Sequence, residues 1–541
     1  MHRVERRIDR LMHQVAMEAG SAPFLLLPAG LEYDDGSCTS TLTVLSYADV
    51  YAASVRMARA LKAAGVEPGD RIACVMGNSQ ELVCFMVACS LCGAIAVTLN
   101  TLSTASEIER ILHDCEPSVV LFHARFLSTQ NDQQLPESVK CRVVVGVLPS
   151  PGLPGHWMTM DRFLSDGDTL PLDVQRDLQV KVPPDPRFSD QDPAVMIYSS
   201  GTTGMPKGIV LSHQAVIDNG LAVSEVLGYQ SSDRLLTILP MFSSFGFAFD
   251  FLHVLINRAS VVIMPGFDAR TSVELIEAQR VTVLAGVPTM FSRIFDPQNV
   301  ASHDISSLRM IDVGGGPVSL RLKQMLKEDV GVTVIESYGL TEISPVAAAQ
   351  RPTENVRTSS CGAPLPGFEV RVVDASGQDV GINQPGELLF RSNTFMLGYW
   401  RQPGQTRQVI RDGWLHSGDV GMVDDAGEIH ILDRTKDVIV SNGYNVYPKE
   451  VENCIAEAEG VQAVAVVGLA DEIRGETIHA FVVARQSCAL DTDAVLAHCA
   501  RHLSRYKVPR SVTILDQLPL TASGKVQRFR LREMLRSQPH G

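Results

Sequence analysis

The chain predicts an α/β fold: a large N-terminal domain of helix-covered, mostly parallel sheets with a β-rich subdomain, then a small α+β C-terminal domain. Three observations carry this prediction. Short apolar strand-like runs alternate with helical segments through the first two thirds of the chain. After about Pro364 the texture becomes β-rich. A polar stretch, Asp433-Arg434-Thr435-Lys436-Asp437, then precedes a last block with strands and helices of its own. The reading divides the chain into domains at 1–433 and 434–541.

Taken in order, Val4, Ile8, Leu11, Met12 and Val15 fall at helical spacing and predict an amphipathic first helix. Tyr47 to Ala64 reads as a helix, while Arg71 to Met76, Ser118 to Phe122 and Cys141 to Leu148 read as apolar strands. Leu82 to Leu99 carries no charge over eighteen residues, the lower limit for a membrane span. Its texture changes at Gly93, so it predicts a buried helix followed by a buried strand. Pro149 to Pro154 and Pro183 to Pro193 are connectors. From Ala194 the pattern resumes, with strands predicted at Leu235 to Leu239, Val261 to Met264, Val281 to Ala285, Met310 to Val313 and Val332 to Ile335. Glu369 to Val373 and Glu387 to Phe390 belong to the β-rich part. In the last block Ala463 to Val467 and His479 to Val483 predict strands, and Lys449 to Ala458 and Thr492 to Leu503 helices.

At 541 residues the chain exceeds one ordinary core, so two or more domains are expected. Its 45% apolar and 20% charged residues are ordinary for a soluble globular enzyme. The net charge of −14 argues against nonspecific nucleic-acid binding. The 11 cysteines are scattered; Cys89 and Cys92 have Cys-x-x-Cys spacing but lie in an apolar run without a second pair. They read as reduced core residues of a cytoplasmic protein. The N-terminus lacks the apolar core of a signal peptide.

The stretch that organises the chain is Tyr198 to Gly208, Tyr-Ser-Ser-Gly-Thr-Thr-Gly-Met-Pro-Lys-Gly, between the apolar runs Ala194 to Ile197 and Ile209 to Leu211. Glycines let backbone N–H groups approach a ligand, hydroxyls add donors and Lys207 adds charge. A plain surface turn rarely concentrates so many donors between two strands; a phosphate cradle requires them. The Walker spacing fails, because Pro206 precedes the lysine and Gly208 follows it.

Further motifs follow: Gly314-Gly315-Gly316-Pro317, Glu336-Ser337-Tyr338-Gly339-Leu340-Thr341-Glu342, Trp414-Leu415-His416-Ser417-Gly418-Asp419, Asp433 to Lys436, Val440 to Pro448 and Leu520-Thr521-Ala522-Ser523-Gly524-Lys525-Val526. In this order they resemble the adenylate-forming superfamily, in its acyl-CoA synthetase or AMP-dependent ligase branch, from about Ser46 to Arg528. The resemblance implies an enzyme that activates a carboxylate as acyl-AMP and passes the acyl group to a thiol. It implies phosphate contacts from Ser199, Ser200, Gly201, Thr202, Thr203, Gly204 and Lys207, with Lys207 on the leaving pyrophosphate. Gly315 and Tyr338 would lie at the adenine, Thr341 at the α-phosphate, and Asp419 and Arg434 at the ribose, with Glu336 a further ATP/AMP-binding residue. Thr203 and Glu342 would serve Mg²⁺, the implied cofactor alongside ATP as co-substrate. Lys525 would bridge carboxylate and α-phosphate, acting with Thr203 and Glu342. Ser441, Asn442 and Gly443 would line the pantetheine tunnel, and Lys436 would be the hinge of a mobile C-terminal domain. Many relatives carry a lysine where Val440 stands, so one charge contact of the thioester step is missing here.

Leu239 to Phe247 matches the acyl-pocket motif, implying a lining of Phe242, Ser243, Phe245, Gly246, Gly286 and Gly314. Ser243 replaces a histidine common in relatives and cannot pair an α-ammonium. Asp250, about two helical turns on, is the remaining acid for an amino-acid substrate. The reading is an uncharged fatty or aromatic acid, with ATP and coenzyme A as partners and no membrane span. Two alternatives stay open: an acyl-AMP ligase loading a carrier protein's phosphopantetheine, and an inactive acyl- or AMP-binding regulatory protein.

Overall fold

The computed structural model describes residues 4–31, 42–127, 135–146, 156–168, 185–198, 206–316, 318, 320–352, 360–434, 437–441, 444–471, 475–485, 490–520 and 526–537. Two large sheets organise the first four hundred residues or so. The eight-stranded sheet runs in the order Gly398–Tyr399, Gly208–Ser212, Pro193–Tyr198, Ile95–Thr98, Arg71–Val75, Val119–His123, Cys141–Val145, Met158–Thr159. Its central strands are parallel. Pro193–Tyr198 and Gly208–Ser212 are antiparallel neighbours in which Tyr198 faces Gly208. The glycine-rich stretch therefore joins two paired strands, as its flanking apolar runs predict.

The nine-stranded sheet runs Ala363–Pro364, Val346–Ala349, Thr333–Gly339, Met310–Val313, Val283–Gly286, Arg234–Leu236, Ser260–Val262, Pro23–Pro28, Leu42–Ser46. It is parallel in the middle and antiparallel at both edges. Helices Ile8–Glu18, Tyr47–Ala63, Gln80–Cys92 and His213–Leu227 share one contiguous core with both sheets, through residues such as Leu11, Tyr51, Phe85 and Ile217.

The uncharged run beginning at Leu82 has a simple cause. Ser79 caps Gln80–Cys92 by accepting from the Leu82 N–H, and Leu82 to Cys92 are buried without interruption. Gly93 ends the helix at φ 66°, and the strand Ile95–Thr98 follows. Being buried on all sides, this helix needs no polar face. No helix among the described residues is long and apolar enough to cross a membrane.

The first helix is fastened by Arg7, fully buried. Its guanidinium donates to the carbonyls of Ser189 at 2.5 Å and Ser90 at 3.1 Å, pairs with Asp9 at 3.0 Å, and lies over the Phe188 ring. The nine described cysteines are free and buried.

The β-rich part is a sheet of Glu369–Val373, Gly386–Arg391, Trp414–Val423 and Ile410–Arg411, with Ile429–Arg434 paired to Trp414–Val423. It has its own core around Leu388, Phe390, Leu415 and Ile429, and Tyr338 packs against it. The last block forms a third unit. Its sheet, Tyr444–Val446, Ile439–Ser441, Gly475–Ala484 and Val461–Asp471, with Ser511–Leu515 beside Gly475–Ala484, closes separate cores around Ile455 and Phe481.

Gly93 gives a direct test of the buried helix's exit. A Cβ there would stand 2.7 Å from the Phe188 ring, on a left-handed backbone. Gly93→Ala is expected to cost about 1–2 kcal/mol from backbone conformation alone, plus the clash, read as a lowered urea midpoint. An unchanged midpoint would refute this account.

Candidate active site

Tyr338, Thr341, Glu342, Asp419 and Arg434 gather where the parallel strands of the nine-stranded sheet end and the β-rich sheet begins, whereas Ser441 lies in the sheet of the last block. Asp419 is the centre. It lies 2% exposed on Trp414–Val423, directly opposite Arg434 on the neighbouring antiparallel strand. Arg434 Nε reaches Asp419 Oδ1 at 2.9 Å, and the Tyr338 hydroxyl donates to Asp419 Oδ2 at 2.5 Å. A buried carboxylate needs such partners. Asp419 in turn holds the Arg434 guanidinium above its usual range, so it stays charged. Three residues separated by up to 96 positions in sequence meet here (Tyr338, Asp419 and Arg434).

A second group lies at the short helical turn Thr341–Ile343. The Tyr399 hydroxyl donates to Glu342 Oε1 at 2.9 Å, and Lys207 Nζ stands 4.8 Å from the Tyr399 ring centroid. Tyr399 therefore links the end of the glycine-rich stretch to Glu342. The Thr341 hydroxyl shares a hydrogen bond of 2.8 Å with the hydroxyl of Ser244, in the acyl motif. Glu342 also adds to the field on Arg434, so the two groups share one electrostatic environment.

Glu336 is ion-paired with Lys323, both nearly buried. Gly315 takes φ 72°, which suits a glycine. Gly316 has room: a Cβ would meet only Pro288, at 3.7 Å. Gly314 has none, since a Cβ would come 3.0 Å from Ser337 Oγ and 3.1 Å from the Phe245 ring. Gly286 is likewise packed, by Ile238 and Phe291, and Gly246 lies against the Pro240 carbonyl. These glycines bring packed neighbours close.

Phe242 is buried, and its carbonyl accepts from Thr98. Ser243 is an N-cap: its hydroxyl donates to the Pro240 carbonyl at 2.8 Å and accepts from the Gly246 N–H at 3.1 Å. Asp250 lies in the core, 1% exposed, on the π-helical turn Phe247–Leu252. Ser441 is buried on Ile439–Ser441, next to the exposed Val440.

Ser199, Ser200, Gly201, Thr202, Thr203, Gly204, Lys436, Asn442, Gly443 and Lys525 lie outside the described residues. Leu520 and Val526, which flank the stretch containing Lys525, pair as an antiparallel bridge. The sequence reading missed Tyr399, Ser244 and Lys323. Tyr399 follows Gly398 on a two-residue strand paired with Ile209, and only that pairing sets it beside Lys207.

Known proteins share the sequence and the fold of this chain. Residues 33–400 match the AMP-binding enzyme family and residues 450–525 the AMP-binding enzyme C-terminal domain. An indoleacetate–CoA ligase of Aromatoleum aromaticum is 34% identical over 94% of this chain and 96% of its own. A long-chain-fatty-acid–CoA ligase of Bacillus subtilis is 30% identical over 90% of each. The crystal structure of the anthranilate CoA ligase AuaEII with anthranoyl-AMP superimposes with a TM-score of 0.88 at 27% identity, covering 99% of this chain and 98% of that one.

Beneath Gly314, the Ser337 hydroxyl donates to Asp312 Oδ1 at 2.8 Å, and burial pushes the Asp312 carboxyl up to about 7. A carboxyl whose pKa is raised on folding contributes stability at low pH that is lost as pH rises toward the folded value. Asp312→Asn should therefore gain stability over the natural protein between about pH 4 and 7, by at most about 1.4 kcal/mol per pH unit, and level off above that. Urea midpoints across pH check this; a constant difference would refute it.

Proposed function

The chain belongs to the AMP-binding enzyme family, and from that premise we propose how its residues share the work and which acid it takes. It is an ATP-dependent acid–CoA ligase. It activates a hydrophobic carboxylic acid, fatty or aromatic, as acyl-AMP and transfers the acyl group to coenzyme A. Within that class we propose a ring-bearing acid. The aromatic row of the acyl motif and the acids named for the indoleacetate and anthranilate ligases support this choice.

The meeting of Tyr338, Asp419 and Arg434 carries the assignment of the nucleotide site. A carboxylate fixed by a hydroxyl and a guanidinium is pre-organised to accept the two O–H groups of a ribose. In our reading Tyr338 stands at the base and Thr341 at the α-phosphate. Lys207 and the residues 199–204 take the outgoing pyrophosphate. Lys525 supplies the cation that neutralises charge building between carboxylate and α-phosphate.

Mg²⁺ fits the residues present. Among the described residues no cluster of three or more His, Cys, Asp or Glu forms a metal cage, but Glu342 offers a carboxylate next to Thr341, linked through Tyr399 to Lys207. Mg²⁺ is commonly held by one or two carboxylates plus substrate phosphates. Glu342, with Thr203, would hold it, and it would supply charge neutralisation on the phosphate oxygens.

The Ser243 hydroxyl is spent on its own turn, so the acid's carboxylate end meets no ring there. We place the domain boundary at 433/434 and the hinge at Lys436. In support, Asp433 lies on the β-rich sheet's strand Ile429–Arg434 yet accepts the Lys449 N–H at 3.0 Å, at the start of the third unit's first helix. The buried free thiols suit a reducing compartment, and we place the protein in the cytoplasm.

Acid-dependent exchange of labelled pyrophosphate into ATP is expected with aryl acids such as indole-3-acetate, followed by AMP release on adding coenzyme A. No exchange across a panel of aryl and fatty acids would overturn the ligase reading, and turnover only with a carrier protein would replace coenzyme A as acceptor. Lys525→Ala should lower adenylate formation by about 10²-fold or more while sparing thioester formation from supplied acyl-AMP. Equal loss in both steps would remove Lys525 from its role.

A further inference from the structure

Two rows of residues lead away from the acyl motif and end at the same place. Along the helix, Phe245, Phe249 and His253 recur every four residues, with ring centroids 4.8 and 4.4 Å apart. Along the sheet, Gly314 abuts Phe245 and Ser337, and Ser337 donates to Asp312. Both rows end at Tyr229. Its ring lies 5.4 Å from that of His253, and its hydroxyl lies in the fields of Asp312 and Asp250.

This end is polar and buried. Asp250 is 1% exposed, His253 and Asp312 0%, and Tyr229 8%. Both nitrogens of His253, Oδ2 of Asp312 and the hydroxyl of Tyr229 have no hydrogen-bond partner among the described residues, and the Asp250 carboxyl is reached only by the backbone of Leu239. Native proteins pair nearly all such atoms, so a local concentration of unpaired ones calls for an occupant. The helix also leaves α geometry here: Asp250 sits on the π-helical turn Phe247–Leu252, a distortion frequent at functional sites.

We propose that Tyr229, Asp250, His253 and Asp312 receive an uncharged hydrogen-bonding group, a hydroxyl or a ketone, at the far end of the acid, and so determine specificity. This rests on the reading of the chain as an acid–CoA ligase. Burial favours the neutral form of each group: it raises the Asp250 carboxyl well above its ordinary value and lowers the His253 imidazole to about 3. A neutral carboxyl and a phenol donate, while the bare imidazole nitrogen and the carboxyl carbonyl accept. A second carboxylate on the acid would find two acidic residues. Arg309, whose charge reaches Tyr229, is held by Asp233 at 2.5 Å. None of the four touches the reacting carboxyl end, which lies at Ser243 and Thr341, so their role is selection.

The test uses pairs of acids of equal size: 3-(4-hydroxyphenyl)propanoate against 3-(4-methylphenyl)propanoate, and 12-hydroxydodecanoate against tridecanoate. For each, kcat/KM is measured in the full-length enzyme with coenzyme A, in the natural protein and in Tyr229→Phe and Asp250→Asn. The natural enzyme is expected to favour the oxygen-bearing member of at least one pair by about tenfold or more. Tyr229→Phe, which removes only the hydroxyl, should erase most of that ratio and leave the hydrocarbon member nearly unchanged. Preference for the hydrocarbon in both pairs overturns the proposal, as does equal loss on both members in Tyr229→Phe. Preference for a matched ammonium-ended acid overturns the uncharged assignment. Thermal shift on binding each acid gives a second readout that needs neither turnover nor Asp250→Asn to fold: a larger shift with the oxygen-bearing acid, lost in Tyr229→Phe, is expected, and identical shifts overturn the proposal. An enzyme active on hydrocarbons alone sinks this inference and leaves the ligase reading standing; no turnover with any acid overturns the ligase reading and this inference with it.

Discussion

The Asp419 carboxylate is the contact on which the site depends. It is buried, so it must be paired, and its two partners come from different parts of the chain. Tyr338 arrives on the last parallel strand of the nine-stranded sheet, and Arg434 on the last strand of the β-rich sheet. Pairing them ties the nine-stranded sheet to the β-rich sheet at the place we propose for the nucleotide.

A second set of contacts hangs on the first. Thr341 and Glu342 follow Tyr338 within one helical turn, so the position of Tyr338 places them too. Tyr399 then ties Glu342 to Lys207, which brings the eight-stranded sheet into the same assembly. Ser244 ties Thr341 to the acyl motif. Five side-chain contacts thus join the ribose, phosphate and acyl positions we propose, each weak alone but cooperative as a network. The polar cluster at Tyr229 stands beyond Phe249 and Ser337, at the far end of the acyl side we propose.

Much of the architecture was legible in the residues. The change of texture at Gly93 marks the helix exit, because only glycine enters the left-handed region cheaply there. The apolar runs on either side of Tyr198 to Gly208 mark the two paired strands. Several strand ends shifted by one to three residues, as with Val281 to Ala285 against Val283–Gly286, because pairing to a neighbour sets where a ladder begins. The site was legible where a motif is contiguous, as in Tyr338 to Glu342. It was illegible for Tyr399, Ser244 and Lys323, whose partners lie 57, 97 and 13 residues away.

By itself the sequence determined the class of chemistry: a donor-rich loop, an acid-bearing turn after a strand, and an Asp and an Arg each set in its own motif. Composition and periodicity determined the α/β layers and the separate last block. Tertiary structure alone decided which side chains share a space. It made Ser243 a helix cap rather than a pocket residue with a free hydroxyl. It also turned Asp250 from a spare acid near the carboxylate end into one member of a buried polar group with Tyr229, His253 and Asp312. The physical reason is that hydrogen-bond satisfaction and burial are properties of packed neighbours, and those neighbours come from strands and helices far apart in the chain.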